Sequence, residues 1–473
     1  MTSGSNFWDG EVWSFVLTLT ILLVAMMAAN CLRRLIKPLR QALIPSSVVG
    51  GFLVLFADFI FKEITGNPML ETSTLEALTY HGLGLGFVAM TLRQTEKPSD
   101  KHKKSDVLNT GLTTVVTYLQ QAIIGLAITI GLYYLLGSFS ASGLLLPLGY
   151  GQGPGQAYSW GHTYEATYGF TNGTSFGLAV AAMGFISSSV GGVIYLNIMR
   201  RKGRINRELG EDFVEENLSA ETITGKDEIP LSESLDKLTV QIALVFIAYV
   251  LAYGFMYAIT AVVNTGILGN FGYNTLLPLV WGFNFLFGVL FAILVKNVLI
   301  RCKKKGWIKR EYTNNFIQTR ISGFMFDVMV VASIAAIDLS AFTHTEFVLP
   351  LLAICVAGGV ITYFQVQHIA KTLFPDYTDE FFLAMYGMLT GTASTGVILL
   401  READPHYDTP AANNLVYQNL WAIIFGFPML LLLAVAPKSI AKSWLTLGLL
   451  AALIIAMYII LFRSRIFKKK SGK

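Results

Sequence analysis

The stretch Leu148–Gly161, which reads LGYGQGPGQAYSWG, decides the fold because its backbone can continue neither a regular helix nor a strand. It carries five glycines around Pro154, and both residue types interrupt regular structure. The stretch nevertheless lies between two long apolar segments. Irregular backbone at membrane depth is tolerated only where it is buried in protein or lines a water-filled cavity. The sequence therefore predicts a re-entrant hairpin near residues 142–162.

A second glycine-rich stretch, Gly387–Leu400 (GMLTGTASTGVILL), has the same character and lies late in the chain, as the first lies early. It predicts a second re-entrant hairpin near residues 380–400. Interrupted segments at corresponding positions of two halves are typical of secondary transporters, in which they form the binding site. The two stretches together indicate a transport site.

The composition is that of a membrane protein. Of 473 residues, 53% are hydrophobic and only 14% are charged, whereas soluble domains carry about a quarter of charged residues. The net charge of +5 comes from basic residues beside the ends of apolar runs, so it indicates orientation in a membrane and gives no support to a nucleic-acid partner. The cysteines Cys31, Cys302 and Cys355 show no metal-binding spacing, and neither a disulfide nor a transition-metal site is predicted.

Apolar runs long enough to cross about 30 Å of hydrocarbon predict two groups of five spans and an eleventh span. The predicted spans lie near residues 12–30, 43–61, 75–92, 107–136 and 174–199, then near 237–263, 275–300, 321–339, 346–370 and 411–435, and finally at 443–462. The chain accordingly divides into a first repeat (1–204), a connector (205–236), a second repeat (237–437) and an extra span with a basic tail (438–473).

Basic residues in short loops predict the orientation, because they favour the cytoplasmic side. The clusters around Arg33, Arg93, Arg200 and Arg301, and the C-terminal tail, all fall on one side if the N-terminus is outside and the C-terminus is cytoplasmic. The first span then runs inward and the sixth runs outward, so the two five-span halves are inverted repeats. The predicted fold is therefore an all-α integral membrane protein with two inverted repeats, each holding one re-entrant hairpin.

A short internal echo supports the two halves. The fourth span contains the sequence TYLQ at residues 117–120, and the ninth contains TYFQ at 362–365. Each of these spans directly precedes a glycine-rich stretch. On this interpretation the first hairpin enters from outside, the second enters from the cytoplasm, and their tips meet near the middle of the membrane.

A hairpin tip offers unwound carbonyl groups, which coordinate a cation, and helix N-termini, which attract a carboxylate. Hydroxyl and amide oxygens near the tips also suit sodium. The predicted substrate-binding residues are Gln152, Gly153, Gly155, Gln156, Ser159, Thr392, Ser394 and Thr395. The predicted sodium-binding residues are Gly151, Thr390, Gly391 and Asp327. No cofactor other than the coupling ion is expected.

Asp327, in the apolar run GFMFDVMVV, is the ionisable residue that lies furthest inside a predicted span. A charge at that depth is costly, which makes it a candidate for ion coupling. Two structural alternatives stay open for this residue. A span boundary could lie closer to it, or its carboxylate could pair with a basic residue of a neighbouring helix.

A sodium-coupled carrier is not the only function that this architecture allows. A proton-coupled carrier, or a carrier of another organic anion, would use the same architecture. A passive channel usually has a symmetric pore lined by repeated filter residues, and two dissimilar hairpins in opposed halves argue against it. An intramembrane enzyme would need a second catalytic group beside Asp327, and the sequence supplies none, so no enzyme activity is predicted.

The segment 149–192, beginning GYGQGPGQAYSWG and including Tyr168-Gly169-Phe170-Thr171-Asn172, resembles the sodium/glutamate symporter family. The residues Ile44-Pro45 with Val48-Val49-Gly50-Gly51 also resemble a motif of that family, as does the placement of the second glycine-rich stretch. The chain departs from the family pattern at Tyr150, Gln152, Pro154 and Gln156, and in its additional eleventh span.

The resemblance implies a sodium-coupled importer whose best-matching substrate is L-glutamate or a related small carboxylate. It further implies two inverted halves, a mobile core that carries the substrate across a fixed scaffold in an elevator-type movement, and a homodimer. The expected location is the cell membrane, plasma or inner, with the lipid bilayer as the surrounding partner.

Overall fold

A computed structural model describes residues 6–93, 104–205, 236–405 and 408–466. Over these ranges the regular elements are helices, and no β-strand occurs. The predicted all-α class is therefore confirmed. Nearly all of the predicted connector 205–236, the first five residues and the basic tail after residue 466 lie outside the described residues.

The longer helices share the apolar character that the sequence predicts. In chain order they are α1 (Gly10–Leu35), α2 (Ser46–Thr65), α3 (Thr72–Leu92), α4 (Lys104–Leu136), α5 (Pro154–Tyr168), α6 (Gly173–Arg201), α7 (Lys237–Asn264), α8 (Asn284–Lys304), α9 (Asn315–Ala335), α10 (Thr345–Leu373), α11 (Thr378–Thr390), α12 (Ala393–Ala403), α13 (Ala411–Tyr417), α14 (Asn419–Leu432) and α15 (Ile440–Leu461).

Nine helices in the described part of the chain are long and apolar enough to cross a membrane, so the chain is a multi-pass membrane protein. They are α1, α4, α6, α7, α8, α9, α10, a run at Trp421–Lys438 that includes most of α14, and α15. The second and third predicted spans form helices α2 and α3, but these two are not among the nine. The count of eleven spans therefore stays a prediction.

The predicted span 275–300 is interrupted in the structure. A π-helical turn at Gly272–Leu276 and a short helix at Leu277–Gly282 come first, and α8 begins only at Asn284. Pro278 lacks an amide donor and its ring clashes with the carbonyl of the preceding turn, and Phe283 leaves the helical region with φ −114° and ψ 37°. The apolar composition that predicted one continuous span contains no sign of this interruption except Pro278.

The chain divides into two compact units. The first unit consists of Met1–Leu23, Leu70–Lys97 and Asp212–Ser333, and the second consists of Val24–Met69, Pro98–Glu211 and Ile334–Lys473. This division crosses the predicted boundary between repeats at residues 204–237, because each unit takes segments from both halves of the sequence.

The first unit is built around α3, α7 and α8, which share a core. Its buried members include Val88, Val245 and Ala292. A polar contact joins two of the same helices, where the Tyr249 hydroxyl accepts a hydrogen bond of 3.1 Å from Asn284 Nδ2. This unit therefore holds its helices together both by apolar packing and by interhelical hydrogen bonds, as membrane bundles commonly do.

The second unit is organised around α4 and α10, which run antiparallel. Near the middle, Gln121 Nε2 donates to Thr362 Oγ1 at 2.9 Å. At one end, the hydroxyl of Tyr377, just beyond the last residue of α10, donates to Asp106 near the first residue of α4 at 3.1 Å. The segments that follow these two helices therefore start at opposite ends of the unit.

Candidate functional site

The first glycine-rich stretch forms a helix, a break and a second helix, here named the first broken segment (Ser142–Tyr168). Short helical turns lead to a π-helical turn at Leu148–Gln152, and α5 follows the break. At the break, Gly153 has φ +91° and ψ 179°, a conformation that essentially only glycine adopts. Pro154 then begins α5, where its fixed φ suits the first helical position and its missing amide is not needed.

The two ends of the first broken segment come back together. The ring of Phe139, just before the segment, stacks on the ring of Phe170, just after it, with centroids 4.6 Å apart. Phe139 also packs against Tyr164 near the end of α5, at 5.6 Å. The residues just before the segment and those just after it therefore lie together. The predicted re-entrant hairpin near residues 142–162 falls within this segment and stays a prediction.

The second glycine-rich stretch has the same construction and is here named the second broken segment (Thr378–Ala403). Helix α11 ends at Thr390, and α12 begins at Ala393. Between them Gly391 has φ −128° and ψ −103° and Thr392 is extended. The two helices approach so closely that a Cβ on Gly387 would lie 2.6 Å from the Cα of Gly396. Small residues at both positions permit this hairpin-like contact.

The structure brings the two breaks side by side, as the sequence predicted. A Cβ placed on Gly153 would lie 3.4 Å from Cγ2 of Thr392. Gly184 of α6 lies against both segments, because a Cβ there would meet the carbonyl of Thr390 and the ring of Tyr150. Residues more than two hundred positions apart in sequence thus form one structural feature. The depth of this feature in a bilayer stays a prediction.

Two side chains of α4, three residues apart, donate hydrogen bonds to carbonyl groups just before the two breaks. The Tyr118 hydroxyl donates to the carbonyl of Gly151 at 2.9 Å. Gln121 Nε2 donates to the carbonyl of Leu389 at 2.9 Å. Residues at this spacing lie on the same face of a helix, so one face of α4 contacts both breaks. Sequence reasoning did not assign either residue to the site, although Tyr118 belongs to the TYLQ echo.

The predicted substrate-binding residues of the first break lie at or just after it. Gln152 is half-buried, and its Oε1 is a buried atom without a hydrogen-bond partner among the described residues. Gln156 and Ser159 are buried in α5 with 1% and 5% of their surface exposed. The Ser159 hydroxyl donates to the Gly155 carbonyl at 2.9 Å, which leaves its oxygen lone pairs able to accept.

The predicted residues of the second break differ in exposure. Ser394 is exposed, Thr392 is half-buried and Thr395 is fully buried. The hydroxyl oxygens of Thr392 and Thr395 are 3.4 Å apart. Thr390 donates its hydroxyl proton to the Tyr386 carbonyl of its own helix at 2.7 Å. The polar groups nearest the second break are therefore backbone groups and the pair Thr392 and Thr395.

The structure places Asp327 in a different unit from the two broken segments. It is an exposed residue of α9 and belongs to the first unit, whereas both broken segments belong to the second. Asp327 was a candidate because it lies deep in a predicted span, but other residues of the protein do not bury it in the structure. Its assignment as a sodium ligand stays a prediction.

Each break combines two kinds of backbone group. The helical turn before a break ends in carbonyl groups, and the helix after it begins with N–H groups that lack intrahelical partners. The carbonyl end carries partial negative charge and the N–H end partial positive charge. Because Gly153 lies beside Thr392, groups of both kinds from both segments converge, which suits joint binding of a cation and a carboxylate.

A separate cavity of about 490 Å³ lies where the second broken segment begins. Its charged lining residues are Lys202, Arg204, Lys371, Asp376, Asp379 and Glu380. Arg204 forms a hydrogen-bonded ion pair with Asp379. The hydrogen bond from Arg204 to this carboxylate raises the pKa of Arg204. The Tyr195 hydroxyl donates to the same carboxylate at 2.7 Å. The end of α6 is thereby tied to the first turn of α11.

Comparison with known proteins assigns the chain to a family. Among curated proteins, no sequence gives a significant match. The family model described as sodium/glutamate symporter matches residues 13–386. The match includes the whole first broken segment and ends inside α11, just before the second break. It covers well over half of the 473 residues, and the chain therefore belongs to the sodium/glutamate symporter family, a family of sodium-coupled transporters.

Proposed function

We propose that this chain imports L-glutamate, or a related small carboxylate, together with sodium, and that the two adjacent breaks form the shared binding site. The observation that carries the proposal is the position of Gly153 beside Thr392, where an added Cβ would reach the Thr392 side chain. It joins two carbonyl ends and two helix N-termini at one place. Family membership supports the same ion and the same substrate class.

In this site, different backbone groups bind the cation and the substrate. The carbonyl groups of Gly151 and Thr390, at the ends of their helical turns, ligate sodium, whose preferred ligands are oxygens. The N-termini of α5 and α12 receive the substrate carboxylates, as helix N-termini receive anions generally. The side chains of Gln152, Ser159 and Thr392 then select among carboxylates. Asp327 remains a further candidate for sodium binding.

We infer an elevator-type movement, in which the second unit carries the site and the first unit is the scaffold. The support is that both broken segments belong to one compact unit, so they can move together without separating the two breaks. The antiparallel course of α4 and α10 supports inverted repeats with opposed re-entrant hairpins. The proposal includes a homodimer in the cell membrane with the N-terminus outside.

Uptake of labelled glutamate into proteoliposomes tests the proposal. An inward sodium gradient is expected to drive accumulation, and replacement of sodium by potassium is expected to abolish it. Aspartate, citrate and glutamine as competitors identify the substrate class, since citrate should compete only if another organic anion is carried. Accumulation driven equally well by a proton gradient without sodium would contradict the proposal that sodium is the coupling ion.

Counterflow separates a carrier from a channel. Proteoliposomes preloaded with unlabelled glutamate should transiently concentrate labelled glutamate, because a carrier exchanges bound substrate and a pore does not. Absence of counterflow in protein that shows sodium-dependent flux would contradict alternating access.

A further inference from the structure

Gln121, in the middle of α4, is almost fully buried, with 1% of its surface exposed. Its Nε2 donates to the carbonyl of Leu389 and to Thr362 Oγ1, each at 2.9 Å. Leu389 lies two residues before Gly391, where the second break begins. All of these residues belong to the second unit. The Gln121 amide is therefore within one hydrogen bond of the carbonyl end of α11.

The orientation of this amide follows from its partners. A backbone carbonyl only accepts hydrogen bonds, so the side of Gln121 that faces Leu389 must be the nitrogen. The amide oxygen then faces away from the Leu389 carbonyl. In the described part of the chain, no donor reaches Oε1 of Gln121. A buried acceptor without a donor is costly, which indicates a partner that is not part of the protein.

The neighbouring glutamine provides a contrast. Gln120 Oε1 accepts a hydrogen bond from the Tyr458 hydroxyl at 3.2 Å, so its oxygen is satisfied within the protein. By contrast, Gln152, the last residue before the first break, also has a buried Oε1 that meets no donor among the described residues. An uncharged amide oxygen of this kind therefore lies at each of the two breaks.

We propose that Gln121 Oε1 is a ligand of the coupling sodium ion. The proposal rests on the sodium-coupled function proposed above and adds to it a side-chain ligand from α4. The carbonyl end of α11 supplies further oxygens, because a carbonyl that accepts one hydrogen bond keeps a second lone pair. A neutral amide oxygen suits sodium, which must be released again in every transport cycle. A bound water is the other partner that could satisfy this oxygen.

The test compares Gln121→Met with Gln120→Met in proteoliposomes. Methionine keeps the length of glutamine and removes the oxygen. For Gln121→Met the half-saturating sodium concentration is expected to rise about tenfold or more, as the loss of one ligand predicts. For Gln120→Met it should stay at the wild-type value, even if thermal stability falls. A wild-type sodium requirement in Gln121→Met would overturn the proposal and favour a bound water.

A third variant separates the oxygen from the donor. Gln121→Glu keeps an oxygen in the same position but changes the group that faces Leu389. Its half-saturating sodium is expected to stay within about threefold of wild type. If Gln121→Glu and Gln121→Met shift the sodium requirement equally, the donor to Leu389 is the important group and the proposed ligand is wrong.

A binding measurement without transport keeps the two proposals apart. Sodium that binds the folded protein stabilises it by RT ln(1 + [Na⁺]/Kd), so a weaker site needs a higher sodium concentration for the same stabilisation. Purified wild-type protein and Gln120→Met should be stabilised by sodium, whereas Gln121→Met should require much higher concentrations. If Gln121→Met needs more sodium than wild type for the same stabilisation but wild-type glutamate uptake is sodium-independent, the proposed function is wrong while Gln121 is still supported as a sodium ligand. If sodium stabilises wild type and Gln121→Met alike, the ligand fails while the function is unaffected.

Discussion

The hydroxyl of Tyr458 accepts a hydrogen bond of 3.0 Å from Gln365 Nε2. The same hydroxyl donates to Gln120 Oε1, so one tyrosine of α15 joins the last residues of the two echoed motifs, TYLQ and TYFQ. Helix α15 lies beyond the residues matched by the family. Further along the chain, Arg463 Nη1 donates to Asn109 Oδ1 near the first residues of α4 at 3.1 Å. The eleventh predicted span is therefore packed into the second unit as part of its framework.

Tyr458→Phe should lower stability without abolishing transport. The change removes one hydroxyl that serves two partners, and a single buried hydrogen bond contributes about 1 kcal/mol. We expect a lower thermal midpoint in detergent, with sodium-dependent uptake retained. Tyr257→Phe is the control, because Tyr257 is 60% exposed on α7. Equal thermal midpoints for the two variants would mean that the Tyr458 hydroxyl contributes nothing.

Gly153→Ala should impair transport much more than it impairs folding. A Cβ at φ +91° and ψ 179° costs about 1–3 kcal/mol and stands beside Thr392, so the geometry of the paired breaks must change. Gly137→Ala is the matched control, since Gly137 has φ +72° and open space around it. Uptake per inserted molecule should fall for Gly153→Ala and stay near wild type for Gly137→Ala. Similar uptake by both variants would mean that the first break is not part of the binding site.

Gly153→Val and Gly155→Val extend this prediction to β-branched side chains at the first break. Valine resists the conformation of Gly153 more strongly than alanine does, so transport should collapse while membrane insertion persists. Uptake and the amount of inserted protein are measured together. Full activity in both variants would mean that Leu148–Gly161 is not part of the binding site.

Asp327→Asn tests the sequence-based assignment of that carboxylate. The substitution removes one charge at nearly constant volume. If Asp327 helps to bind sodium, the half-saturating sodium concentration should rise markedly while expression stays near normal. An unchanged sodium requirement in a well-expressed variant would assign Asp327 to structure.

The orientation is tested with single cysteines at positions 4, 225 and 471, which lie outside the described residues. An impermeant thiol reagent applied to whole cells should label only the first, because the basic loops favour the cytoplasmic side. The other two should react only after permeabilisation. Labelling of position 225 from outside would contradict the inverted-repeat interpretation.

Local sequence was sufficient for the features that depend on local physics. Glycines clustered within a few residues, joined at the first break by a proline, disfavour a continuous helix, so both breaks could be located within a few residues from Leu148–Gly161 and Gly387–Leu400 alone. Apolar runs predicted nearly all helices, because a long apolar run is also a local property of the sequence. The helix ends were less accurate, as at the interrupted span 275–300, because apolar composition does not reveal where a backbone leaves the helical region.

The sequence by itself therefore determined the helical membrane class, the two breaks and the family motifs. Only the tertiary structure decided that Gly153 lies against Thr392, that Tyr118 and Gln121 hold the carbonyl ends of the two segments, and that Asp327 is an exposed residue of the other unit. These relationships join residues far apart along the chain, or depend on which face of a helix meets its neighbour. Helix packing settles such contacts, and no local pattern of residues encodes them.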